Sequence, residues 1–121
     1  MFNFEKLDVW TKAIDLADLV YSLTQRFPNE ERFGLTDQMR RAVVSVSSNI
    51  AEGSSRSSRP DFARFLEIAE GSLFEVVSQS ALAFRVGFLR EEGNQKIYAA
   101  ADELSRMLSG LRRHLVGNGA E

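Results

Sequence analysis

The chain predicts an all-α protein folded as an up-down-up-down antiparallel four-helix bundle. Three observations carry that expectation. Apolar residues recur at spacings of three and four in four successive segments, and no segment shows the apolar–polar alternation of a half-buried strand. The only two prolines, Pro28 and Pro60, both fall between the periodic segments. With 121 residues, 44% of them apolar, the chain has the size of a single domain, 1–121, built around one core. Four long helices with short connections pack that core as a bundle.

The first helix is expected over about residues 8–26, with Asp8 as its N-cap and Leu7, Trp10, Ile14, Ala17 and Tyr21 as its core stripe. Phe27-Pro28 ends it, because the residue before a proline is pushed out of the α region. The second helix follows the Gly34 loop, running from about Thr36 to Gly53, with Gly53 as a left-handed C-terminal cap. Leu35, Met39, Ala42, Val43, Val46 and Ile50 form its stripe. The β-branched run VVSVSSNI reads locally as strand, but its neighbours on both sides are helical.

The loop SSRSSR offers Ser57 or Ser58 as the cap of a third helix, about 60–86, with Pro60 in its first turn. Phe62, Phe65, Leu66, Ala69, Leu73, Val76, Val77 and Phe84 are its expected core face, and Gly87 with REEGN makes the last turn. The fourth helix, about 92–115, has the cleanest pattern: Ile97, Ala101, Leu104, Leu108, Leu111 and Leu115. The terminal VGNGAE is expected to fray.

Composition excludes several kinds of chemistry. Without cysteine there is no disulfide, thiolate nucleophile or thiolate metal site. Glu5 and Asp8 stand where a signal peptide needs an apolar run, and no stretch approaches the ~18 apolar residues of a membrane span. A soluble, cytoplasmic chain with no membrane partner is expected. His114, the lone histidine, has Leu111 three residues before it and so cannot complete the Glu-x-x-His pair of a di-iron bundle; it reads as a solvated helix-end residue. Glu67 and Glu70 read as solvated charges rather than an acid–base pair. No catalytic residue, metal site or cofactor is expected.

The net charge of −2 argues against coating nucleic acid by bulk electrostatics. Its distribution is uneven. Residues 40–64 carry five arginines against Glu52 and Asp61, and twelve of the fifteen basic residues are Arg, whose planar fork suits carboxylate or phosphate. Arg40, Arg56, Arg59 and Arg64 are therefore the candidate contacts to nucleic acid or phosphate. GSSRSSR at the start of the third helix would suit a phosphate, but it lacks the Walker pattern and capping accounts for its serines. Trp10 lies at core spacing, so a base-stacking platform is not expected.

Two further features point to association. Ile68, Phe74, Leu82 and Val86 project from the side of the third helix opposite its core stripe, and Val9, Leu16, Val20 and Leu23 do the same on the first. Such an apolar surplus exceeds what monomers usually expose, so self-association is expected. On the second helix Gln38, Arg41, Ser45, Asn49 and Glu52 fall on one line beside the core stripe, at 100° per residue. This line is expected to form a hydrogen-bonded seam against another helix or subunit, with Arg41 and Glu52 each partnered, if only with one another.

The run QMRRAVVSVSSNIAEG, followed by DFARFLEIAEGSLFE and preceded by FEKLDVWTKAIDLADLVY and FPNEERFGL, resembles the family called four helix bundle protein, or ribosomal RNA intervening-sequence protein. The resemblance covers about residues 2–115. It implies a cytosolic bacterial bundle that assembles as a ring of five. Some members are encoded inside intervening sequences of large-subunit ribosomal RNA genes, and a similar bundle is an accessory of diversity-generating retroelements that binds reverse transcriptase and nucleic acid; most members have no known activity. The positions it marks are Gln38, Arg40, Arg41, Ala42, Ser45 and Asn49 to Gly53, then Phe62, Leu66, Ala69, Gly71 to Leu73 and Glu75, with no role attached. The accessory relatives are basic, whereas this chain is slightly acidic. The expectation is therefore a non-enzymatic homo-oligomeric scaffold, pentameric on the resemblance, partnered by its own copies or by another protein. The alternative is an RNA- or DNA-binding accessory whose arginine patch is repeated around the ring.

Overall fold

Leu7 is extended, and from Asp8 the chain turns into α1 (Asp8–Thr24); α2 (Leu35–Ser54), α3 (Arg59–Arg85) and α4 (Glu91–Val116) follow. The computed structural model describes residues 1–117, and among these the only other regular elements are two single 3₁₀ turns, Asn3–Lys6 and Asn29–Glu31. The expected fraying of the tail falls mostly on residues 118–121, outside the described residues.

Topology follows from length. The four residues joining α2 to α3 and the five joining α3 to α4 reach at most about 18 Å, while helices of this size run about 30 to 40 Å, so α3 and α4 must each turn back along the helix before it. Cross-helix contacts agree. Arg40 near the start of α2 meets Thr24 at the end of α1, Ser45 meets Ser72, Arg59 opens α3 against Leu115 at the end of α4, and Lys12 of α1 reaches Glu103 of α4. Each helix packs on its two sequence neighbours or, for α1 and α4, on each other; the diagonal pairs make no close backbone approach. The helices thus stand at the corners of a square around one core.

Met39, Val43, Val46 and Ile50 of α2, Leu66, Ala69, Leu73 and Val76 of α3, and Ile97, Ala101, Leu104 and Leu108 of α4 fill that core, as their spacing predicts. α1 departs from expectation. Its buried residues are Val9, Ala13, Leu16 and Val20, with Thr24 closing the stripe, whereas Ile14 and Tyr21 are exposed and Leu7, Trp10 and Ala17 pack at the core's edge. The two stripes share one period and differ by a single residue, about 100° of rotation. Aromatic bulk settles the choice. Trp10 packs edge-on against Phe4, with ring centres 4.9 Å apart, and Tyr21 lies under the Arg40 guanidinium at 4.6 Å, so both large rings have partners at the rim while small Ala13 faces inward. Phe84, also expected in the core, is exposed near the end of α3.

The ends of the helices show what the loops do. Ser58 caps α3 by accepting the Asp61 backbone N–H at 3.1 Å, with Pro60 in the first turn. Gly87 is the one described residue with a positive φ, 91°, which lets the chain leave α3 and enter α4 within a few residues. α4 already begins at Glu91, so most of REEGN is helical rather than turn. Gly53 is not the left-handed cap its position suggests; it lies inside α2. A Cβ there would come within 2.7 Å of Phe65 Cβ and 2.9 Å of a Phe62 ring carbon, so glycine lets the end of α2 rest on the start of α3. Gly53→Ala is accordingly expected to lower stability by about 1–3 kcal/mol despite alanine's better helix propensity, read as a lower denaturation midpoint.

Candidate functional site

The polar line of α2 divides into a centre and two ends. At the centre Ser45 Oγ and Ser72 Oγ of α3 lie 2.8 Å apart, and Asn49 Nδ2 donates to the Ser45 carbonyl at 2.8 Å and to its Oγ at 3.1 Å. Small hydroxyl side chains let the two helices approach, and α2 with α3 is the most extensive helix pair. The ends face outward. Arg41, its side chain 79% exposed, donates to Asp37 at 3.0 Å, and Glu52 accepts from Arg56 at 2.8 Å. Arg41 and Glu52 lie about 16 Å apart along the helix and do not pair. Gln38 is exposed and shares a shallow outer cleft with Arg41, Ser45, Glu75 and Gln79. Gln79 Oε1 is buried there with no hydrogen-bond partner among the described residues.

The four candidate arginines do not form one patch. Arg40 sits about 24 Å along the axis from Arg56, where its Nε donates to Thr24 Oγ1 at 2.9 Å and one terminal nitrogen donates to the Tyr21 carbonyl at 3.3 Å, tying α2 to the end of α1. Arg56 and Arg64 both lie over the Phe65 ring, at 4.6 and 4.7 Å, and both pair with Asp61. Arg59 donates to the His114 and Leu115 carbonyls at 2.7 and 3.0 Å, satisfying the otherwise free end of α4. Acidic side chains are threaded through this end of the bundle. Arg112 pairs with Glu67 at 3.5 Å and Glu70 at 3.1 Å. Glu70 is not the solvated charge expected from its spacing: its side chain is 13% exposed and it accepts from Ser109 Oγ at 2.6 Å, bridging α3 to α4. His114 is exposed at the helix end.

The apolar surplus of α3 is exposed in the single chain and falls into two groups. Ile68, Leu82 and Val86 lie within about 40° of one another on the helix, while Phe74 stands about 80 to 120° away, toward α4. Between these groups lies Gly71, with nothing from the chain within 4 Å of where a Cβ would stand. Phe74, 65% exposed, joins Leu73, Val77, Tyr98 and Ala101 along an apolar cleft of about 340 Å³, rimmed by Ser78, Asp102 and Ser105. Tyr98 is itself 61% exposed and was not among the residues singled out by periodicity. Its signal was available, since it follows core Ile97 and so must leave the stripe by about 100°.

Among the described residues no three His, Asp or Glu side chains gather as metal ligands, and no helix is long and apolar enough to cross a membrane.

Comparison with known proteins adds three findings. A family model described as 23S rRNA-intervening sequence protein matches residues 5–110. The crystal structure of a protein of unknown function from the S23 ribosomal protein family of Bacteroides thetaiotaomicron superposes with a TM-score of 0.77 at 23% identity, covering 87% of this chain and 98% of that one; at that identity the likeness is one of fold. No curated protein matches the chain.

Proposed function

The chain belongs to the 23S rRNA-intervening sequence protein family, and with that as premise we propose that it is a non-enzymatic cytoplasmic scaffold that works as a homo-oligomer, its subunits meeting through Ile68, Phe74 and Leu82 of α3 and Val86 at its C-terminal end. The observation that carries this reading is the exposure of Phe74 and Tyr98 beside an apolar cleft. Removing one such side chain from water is worth about 1.5–3 kcal/mol, and several together exceed what a lone subunit usually leaves in solvent. On the other edge of α3, Gln38, Arg41, Ser45 and Glu75 line a cleft that gives a second copy a polar rim to meet. A ring of five is the family expectation for subunit number. Light scattering at micromolar concentration is expected to return a mass several times 13.6 kDa, five times on the ring expectation. A monomer there removes the proposal.

RNA or DNA binding through Arg40, Arg56, Arg59 and Arg64 has weaker support, because every one of those guanidinium groups already serves a contact within the chain. Little or no binding of mixed-sequence RNA is expected at low salt in a fluorescence anisotropy titration. Tight binding that falls on replacing Arg56 and Arg59 with Ala, and falls again as salt is raised, would move the reading to nucleic acid.

A further inference from the structure

Where the end of α1 meets the start of α2, a polar cleft of about 240 Å³ opens between Thr24 and Gln25, the connecting residues Asn29 and Arg32, and Thr36 and Arg40 of the first turns of α2. Among the described residues no acidic side chain lines it. Arg40 is half-buried, and its contacts, the Thr24 hydroxyl, the Tyr21 carbonyl and the Tyr21 ring, are all neutral. Arg32 lies over the Phe33 ring at 4.8 Å. Neither guanidinium pairs with a carboxylate of the described residues, so two positive charges flank the cleft with no counter-charge in it. The nearest acids in sequence are engaged elsewhere: Glu31 accepts the Leu35 N–H at 3.0 Å, and Asp37 pairs with Arg41.

Thr36 is a second, independent sign. It is 8% exposed and lines the cleft, yet its hydroxyl makes no hydrogen bond with any described residue. Among the described side chains only Gln79 Oε1 is sealed from solvent without a partner, so the Thr36 hydroxyl reaches the cleft and takes its partner from what fills it. The N–H groups of Thr36 and Asp37, in the first turn of α2, likewise find no acceptor among the described residues, and the helix dipole there favours negative charge. Arg40 uses two of its five N–H donors on Thr24 and Tyr21, which leaves three. Those two bonds also hold the guanidinium in place, so little freedom is lost on binding.

We infer that this cleft binds a phosphate group, free or as the monoester of a small molecule, whose oxygens accept from Arg32, Arg40, the Thr36 hydroxyl and the free N–H groups that open α2. These donors come from the connection, the first turn and the turn after it, more than the two oxygens of a carboxylate can serve; a phosphate presents three. Arg56, Arg59 and Arg64 lie at the other end of the bundle and take no part. The site also stands apart from the outward face of α3, so assembled and monomeric protein serve equally in its test.

Calorimetric titration of the full chain with inorganic phosphate, at ionic strength held constant with chloride, is expected to show saturable binding, and the thermal midpoint is expected to rise with phosphate concentration. Glycerol phosphate separates the two sources: tighter binding than the free ion assigns a small monoester, equal or weaker binding the ion itself. Arg32→Ala, at an exposed position, is expected to weaken phosphate binding about tenfold with helix content unchanged by circular dichroism. Thr36→Val keeps the shape of the buried side chain without its hydroxyl, and is expected to weaken binding about fivefold. Arg106→Ala, on α4, is expected to leave it unchanged. If phosphate does no more than chloride at equal ionic strength, or if Arg32→Ala binds it like the wild type, the assignment is overturned. Binding of mixed-sequence RNA without binding of either small anion overturns it too.

Discussion

Phe74→Asp is expected to turn the assembled protein into a monomer with its helix content intact. In the single chain the Phe74 ring is 65% exposed, so an aspartate there is solvated and the fold loses only a difference in helix propensity, under about 1 kcal/mol. Within an interface the change acts twice. The apolar burial of the ring, about 2 kcal/mol, is lost, and a carboxylate must be dehydrated beside Asp102 with no cation of its own. Even a net loss of about 2.7 kcal/mol raises the dissociation constant a hundredfold, enough to move a micromolar assembly out of range. Light scattering reads the mass and circular dichroism the helices. Loss of helicity would place Phe74 in the core, against its exposure; an unchanged mass would take the interface off this face of α3.

Helix order and most of the core were legible because α2 and α4 each present a single apolar stripe, leaving one way to face the interior. α1 was not, since Val9, Ala13, Leu16 and Val20 and the neighbouring Trp10, Ile14, Ala17 and Tyr21 repeat with the same period, and periodicity cannot rank two stripes one residue apart. Partners outside the helix decided it: Phe4 for Trp10 and Arg40 for Tyr21. Gly53 was misread for a related reason. A glycine at the end of a stripe serves equally as a left-handed cap or as a point of close approach, and only the Phe62 ring and the Phe65 Cβ, on another helix, distinguish the two.

The polar residues follow the same division. Ser45 and Asn49 were visible as a seam because they line one edge of α2, but Ser72 is 27 residues from Ser45 and carries no mark of the pairing. Arginines were the least legible, since a guanidinium reads as a charge free to meet phosphate. Arg59 instead spans 56 residues of sequence to reach the Leu115 carbonyl, a partner that exists only because α4 ends beside the start of α3. Glu70 likewise looked solvated until Ser109 and Arg112 were brought to it from α4.

The orientation of α1 has the largest stability consequence and a direct test. Leu16→Ala is expected to cost about 2–5 kcal/mol, from lost transfer energy and the cavity left among side chains that cannot fully collapse, because Leu16 is 1% exposed. Ile14→Ala is expected to cost less than about 1 kcal/mol, since Ile14 is 39% exposed and alanine's helix propensity offsets part of the lost contact. Against a total stability of about 5–15 kcal/mol the first change is severe and the second close to silent. Both belong on the Phe74→Asp background, where association adds nothing to the denaturation midpoint. If Ile14→Ala were the costlier change, α1 would be turned about 100° from the orientation described, burying the edge that carries Tyr21. The α1–α2 edge would then lose two of its three exposed apolar residues, Ile14 and Tyr21, leaving Val44 alone there.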